Sequence, residues 1–146
     1  MLKKLESKGF TLIELMLVVI IIGVLIAMVV PRFAGRSEQA RQAAARADIE
    51  ANIAVALDLF ELDNGRYPTT EEGLQAIITK PSGLDNWRGP YLKKRRIPKD
   101  PWGSPYIYIS PGTHSPDYDL ASYGADGVEG GDDDITNWEE TIPGEG

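Results

Sequence analysis

Between Phe10 and Val30 lie 21 residues whose only ionisable side chain is Glu14, and from Leu15 to Val30 no polar side chain interrupts the run. About 20 apolar residues in helical form span the hydrocarbon core of a bilayer, so this stretch reads as a transmembrane helix. Lys3, Lys4 and Lys8 precede it, which orients the N-terminus to the cytoplasm and everything after Pro31 to the far side. A secretory signal peptide carries its small-residue cleavage site after the apolar run. Here the small residue that stands out, Gly9, comes before it, and a cut there leaves the anchor on the protein.

A chain of 146 residues has room for one globular domain and one extra element, and no room for a separate catalytic domain. The net charge is −7, and removal of the first nine residues, which carry +2, leaves −9. Such an acidic mature chain excludes nucleic acid as a natural partner. There is no cysteine, hence no disulfide framework and no thiolate metal site.

From Arg32 to Leu62 the chain is rich in helix formers, and Ile49, Ile53, Ala56, Leu57 and Phe60 recur at spacings of three and four. This apolar stripe, against Arg46, Asp48, Glu50 and Asp58, predicts one long helix from about Thr11 to Leu62 whose second half packs on a soluble domain. Asp63-Asn64-Gly65 supplies the stop. Within the first half, Gly23 and Pro31 bracket the stretch expected to kink or melt, because Pro31 offers no N–H to the turn before it. Further on, Thr69 and Glu72 form a capping-box pattern ahead of Leu74, Ala76, Ile77 and Ile78, predicting a short helix. Tyr106–Ile109 and Tyr118–Tyr123, bounded by Pro and Gly, read as two antiparallel strands joined through Gly112 to Pro116.

Lys8-Gly9-Phe10-Thr11-Leu12-Ile13-Glu14, followed by the apolar run and Pro31, resembles the leader of type IV pilins and pseudopilins. The resemblance implies that a prepilin peptidase cuts after Gly9 and that the new amino terminus, Phe10, is methylated. Glu14 separates this reading from that of a plain signal anchor. A carboxylate in a membrane helix costs about 2.5 to 3.5 kcal/mol at the bilayer centre and somewhat less near the end, and the freed amine of a neighbouring Phe10 gives it a partner. Asn64–Thr69, Gly89-Pro90-Tyr91, Pro98–Gly103 and Tyr123–Gly127 in order behind such a leader resemble the major pseudopilin family of type II secretion. The absence of cysteine departs from type IV pilins, which commonly close a C-terminal loop with a disulfide.

Ten carboxylates and no Lys or Arg lie between Asp117 and Gly146. For Glu139, Glu140 and Glu145 a solvated tail suffices. The stretch Asp126-Gly127-Val128-Glu129-Gly130-Gly131-Asp132-Asp133-Asp134 is open between a bare acidic loop and a cation site, since its spacing is not that of an EF-hand. The family resemblance implies calcium here, with carboxylates from Asp126, Asp133 and Asp134 and backbone carbonyls from Tyr123 and Val128. Lys93-Lys94-Arg95-Arg96 reads as a solvated patch or one that meets an acidic neighbour subunit. His114, the only histidine, reads as a loop residue, and Trp87, Trp102 and Trp138 as core or loop anchors.

These readings predict an α+β, type IV pilin-like fold: a long N-terminal helix packed on a small antiparallel sheet with a calcium-binding loop. Its parts are a leader (1–9), a transmembrane half-helix (10–30), an amphipathic half-helix (31–64) and a globular head (65–146). The expected function is non-enzymatic. Subunits anchored in the inner membrane, with the head in the periplasm, polymerise with Phe10, Glu14 and Pro31 at the assembly contact into a pseudopilus that helps drive folded proteins through an outer-membrane pore. Expected partners are further copies, minor pseudopilins, the inner-membrane assembly platform and the prepilin peptidase. The alternatives are a type IV pilin or a single-span, calcium-dependent binding module.

Overall fold

The computed structural model describes residues 9–138, without the side chains of residues 30–34. The leader lysines, the tail carboxylates Glu139, Glu140 and Glu145, and the ring of Pro31 therefore lie outside the described residues. The chain falls into two compact units, one ending at Gln39 and the other beginning at Ala40.

Helix α1 runs from Leu12 to Ala47, and its backbone is helical through Gly23 and position 31. The window Leu12–Val29 has a mean hydropathy of 3.1, enough in length and composition to cross a membrane. In this first unit no large apolar side chain from Phe10 to Val29 is less than 47% exposed. Among the described residues, nothing covers them.

The second unit is organised by the apolar stripe. Ala45, Ile49, Ile53, Leu57 and Phe60 are fully or almost fully buried, and they pack with Leu74, Ile77, Tyr106, Tyr108, Tyr118, Leu120 and Ile135. The helix is not uniformly α over this stripe. Asp48–Ile53 is π-helical, and α2 resumes over Ala54–Asn64. The spacing explains the change: each step of four from Ala45 to Ile49 to Ile53 to Leu57 drifts about 40° around an α-helix at 3.6 residues per turn. A π segment winds more slowly and offsets that drift, keeping all four residues on one face.

Asp48 departs from the charged, solvent-facing role expected of it. It is half-buried, and Tyr106 Oη donates to its Oδ2 at 2.9 Å. The helix stops as expected: Gly65 sits in the left-handed region at φ 72°, its N–H on Glu61 O at 2.7 Å, and Asn64 Nδ2 caps Phe60 O at 2.8 Å.

Thr69 and Glu72 form the capping box reciprocally, with Thr69 N–H on Glu72 Oε2 at 2.9 Å and Glu72 N–H on Thr69 Oγ1 at 3.2 Å. Arg66 adds a bidentate pair to the same carboxylate at 2.7 and 2.8 Å and holds its pKa below the usual range. The expected helix behind the box is only a 3-10 turn, Leu74–Ile77. Gly73, at φ 59° and ψ −169°, breaks the path between cap and helix.

Strands β1 (Ile107–Ile109) and β2 (Asp119–Ser122) pair antiparallel with Tyr108 opposite Leu120. A third strand, β3 (Ile135–Thr136), which the sequence did not suggest, pairs with the other edge of β2. The order β1-β2-β3 makes β2 central, and all four of its residues are buried. The architecture is α+β, a long helix with a small antiparallel sheet.

Candidate functional site

At the N-terminal end, Gly9 and Phe10 precede the first helical turn, and Phe10 is 82% exposed. Thr11 donates from its backbone N–H (2.8 Å) and its Oγ1 (2.9 Å) to one oxygen of Glu14, while Glu14 N–H reaches Thr11 Oγ1 at 3.3 Å. This is a capping box, Thr-x-x-Glu, a pattern present in the sequence but overshadowed there by the apolar run that follows it. The box fixes Glu14 at the positive end of the helix dipole, and among the described residues its Oε1 accepts no hydrogen bond. The carboxylate is thus held in place with one oxygen that the other described residues leave open.

The acidic stretch folds into a loop between β2 and β3. Asp126, Asp133 and Asp134 each bring a carboxylate oxygen to within 4.8 Å of the others. Asp133 Oδ2 accepts the backbone N–H of Ala125 at 2.6 Å and of Asp126 at 3.1 Å. Those N–H donors, Asp126 first, hold the Asp133 pKa below the usual carboxylate value. Asp126 Oδ1 takes Val128 N–H at 2.9 Å, and Asp134 Oδ2 takes Gly130 N–H at 2.7 Å. Backbone donors satisfy one oxygen of each carboxylate. The other oxygens of Asp126 and Asp133 both lie beside Gly131.

Two observations fit a hard cation among them. Asp134 Oδ1 is buried with no hydrogen-bond partner, a costly state for a charged oxygen without a counter-charge. A Cβ on Gly131 would stand 2.7 Å from Asp133 Oδ1 and 3.2 Å from Asp126 Oδ2, so these two carboxylates close in on a glycine and would have to shift for any side chain. An all-oxygen donor set of this kind suits Ca²⁺. Of the two expected carbonyl donors, that of Tyr123 accepts Gly127 N–H at 3.1 Å and keeps a second lone pair. Val128 directly follows that turn and is 62% exposed.

Gly124 and Gly127 allow a controlled comparison of how tightly the loop is built. Both are left-handed, at φ 60° and 68°, but a Cβ on Gly124 would overlap the carbonyl and carboxylate of Asp133, whereas one on Gly127 meets nothing within 4 Å. Gly127→Ala is expected to lose about 1 kcal/mol, the cost of the left-handed backbone alone. Gly124→Ala should lose at least about 2 kcal/mol more by opening the loop. Denaturant midpoints at constant m-value measure the difference.

The remaining singled-out residues are structural. His114 lies in the β1–β2 loop, with Nδ1 2.9 Å from Asp119 Oδ2 and its ring stacked on Trp138 at 4.3 Å. Burial pushes the Asp119 carboxyl up, but the Thr113 hydroxyl, donating at 2.7 Å, the backbone N–H of Ser115, and the ring and backbone N–H of His114 outweigh it and hold the group well below the usual range. Trp87 and Trp102 pack at the edge of the core, and Trp87 Nε1 donates to Ala76 O at 2.8 Å.

Similarity to known proteins converges with this geometry. The family model for the type II secretion system (T2SS), protein G, matches residues 32–138, and that for the prokaryotic N-terminal methylation motif matches residues 6–30. Type II secretion system core protein G of Pseudomonas aeruginosa is 50% identical over 145 residues, covering 94% of this chain and 99% of that protein. Its counterpart in Escherichia coli is 46% identical over 136 residues, covering 91% and 92%. The crystal structure of the major pseudopilin from the type 2 secretion system of enterohaemorrhagic Escherichia coli aligns with a TM-score of 0.62 at 39% identity, covering 75% of this chain and 93% of that one.

Proposed function

The chain belongs to the type II secretion system protein G family, whose members are structural pseudopilins and not enzymes, and from that premise we propose how its own residues serve the role. The chain is cut after Gly9, methylated at Phe10, held in the inner membrane by the first half of α1 with its head in the periplasm, and polymerised into a pseudopilus. Minor pseudopilins, the assembly platform and the prepilin peptidase are its partners, and the growing filament helps push folded cargo toward the outer-membrane pore. The acidic loop holds Ca²⁺ through Asp126, Asp133 and Asp134 and the carbonyls of Tyr123 and Val128.

The observation that carries this reading is Glu14. A carboxylate at the head of an apolar, membrane-length segment, with one oxygen left open beyond its cap to Thr11, exceeds what an inert anchor needs. The amine freed at a neighbouring Phe10 is a donor of matching charge. Docking there neutralises both groups in a low-dielectric setting.

The mass of the membrane-extracted protein tests processing: it should match a chain beginning at Phe10 plus one methyl group. Gly9→Asp should stay full-length and fail to enter filaments, because the leader lysines remain attached and each charge dragged into the bilayer costs about 2.5 to 3.5 kcal/mol. A Gly9→Asp protein recovered at the cleaved mass contradicts the assignment.

A further inference from the structure

One surface of the second unit is neither core nor metal loop. Half-buried Asp48 and exposed Asn52 and Val55 on the π-turn and α2, with the segment Tyr91–Lys99, enclose an open groove of about 1000 Å³. Its apolar floor includes Val55, which is 55% exposed, and Ile97. Its rim is basic: Lys93, Lys94, Arg96 and Lys99 line it, and among the described residues none of them forms an ion pair with a carboxylate. A concentrated positive rim around an apolar floor, on a chain of net charge −7, is a local reversal of the overall field.

The same chain carries the complementary charge and polarity elsewhere. Within the Asp126–Asp134 loop Val128 is 62% exposed, and Glu129 and Asp132 are exposed carboxylates outside the group formed by Asp126, Asp133 and Asp134. The loop and the groove share no residue. An exposed valine in an acidic loop complements, in polarity and charge, an apolar floor rimmed by bases.

We propose that this groove receives the Asp126–Asp134 loop of a second copy, with Val128 seated against Val55 and Ile97, and Glu129 and Asp132 facing Lys93 and Lys94. The contact is heterologous, because each copy offers the groove on one patch and the loop on another. Such contacts repeat head to tail and build open filaments unless the rotation closes a ring. The inference rests on the reading that the chain polymerises, and it assigns to the heads a contact separate from the helix contact at Glu14. The metal loop thereby gains a second role. An ordered loop presents Val128 in one orientation, so ion binding and head docking are coupled.

The test uses the full chain assembled in the membrane, with sheared filaments collected by sedimentation. Lys94→Glu and Glu129→Lys should each lower filament yield at least about tenfold, and the two together should return it to within about threefold of the parent, because the reversed pair restores the contact between copies. The chain has no cysteine, so a Val55→Cys, Val128→Cys double variant treated with a short bismaleimide should give a ladder of covalent oligomers from filaments. Each single variant should remain monomeric. Filaments of the double variant at parental yield that release only monomer overturn the proposal, as does a ladder that forms instead when Val55→Cys is combined with Ile142→Cys, which gives the groove to the C-terminal tail. A parent chain that never sediments as filaments removes the polymerisation reading and this inference together.

Discussion

Glu14→Ala is expected to insert into the membrane as well as the parent chain does and to yield less than about a hundredth of the sheared filaments. Removing the carboxylate makes the helix more apolar, so insertion cannot suffer. Under the proposed cleavage after Gly9 and docking of Glu14 on the next Phe10, assembly suffers because every Phe10 amine drawn into the filament is then a buried charge without a partner, and breaking one side of a buried pair costs about 3 to 5 kcal/mol. At 1.36 kcal/mol per factor of ten, that is at least a hundredfold at each contact. Glu14 also accepts two hydrogen bonds from Thr11, and loss of that cap alone costs about 1 kcal/mol. Glu14→Gln separates the two effects. Its amide oxygen can still accept from Thr11 while its charge is gone, and it should assemble no better than the alanine variant. Filaments at parental yield from Glu14→Gln would show that the cap, and not the charge, is what assembly needs.

The second large effect concerns the acidic loop. A ligand that binds the folded state alone stabilises it by RT ln(1 + [L]/Kd), about 2.7 kcal/mol at a hundredfold excess over Kd. For a unit of this size, EGTA should therefore lower the melting temperature of the full chain in detergent by on the order of 10 °C. Calcium should restore it. Equal Mg²⁺ should not, since Mg²⁺ demands a tighter octahedron and keeps its waters. Asp134→Asn should abolish the response: it leaves an oxygen to receive Gly130 N–H but removes the charge beside the unpartnered Oδ1. Glu61→Gln, on the exposed face of α2 and remote in sequence from the loop, should respond as the parent does. A melting curve indifferent to EGTA and to added calcium, from protein first shown to be metal-free, returns the segment to an ordinary acidic loop.

Elements carried by local pattern were legible in the sequence. The stripe from Ile49 to Phe60 predicted its own burial, Gly65 its own left-handed turn, and Tyr106–Ile109 and Tyr118–Tyr123 their own pairing. What was not legible depends on partners distant along the chain. Asp48 looks like a surface charge until Tyr106, 58 residues on, donates to it. Strand β3 is two residues long, too short to show alternation, and it continues through a side chain. Asn137 Oδ1 accepts Leu120 N–H at 2.8 Å and its Nδ2 donates to Tyr118 O at 3.0 Å, imitating a strand's backbone. The three carboxylates Asp126, Asp133 and Asp134 were expected as a set from family likeness. Their convergence and the unpartnered oxygen of Asp134 come only from the fold.

The uncovered first half of α1 makes the lipid an exchangeable solvent. Side chains from Leu12 to Val29 are left largely uncovered by the other described residues of their own chain, so under the proposed anchoring and assembly their apolar surroundings are either acyl chains or the equivalent helices of other copies. Hydrocarbon tails are about as apolar as leucine, and moving such a helix from one medium to the other changes its solvation little. Transfer between bilayer and filament is then close to balanced for 18 residues of apolar surface. The few polar atoms at the head of the helix decide which medium the subunit occupies.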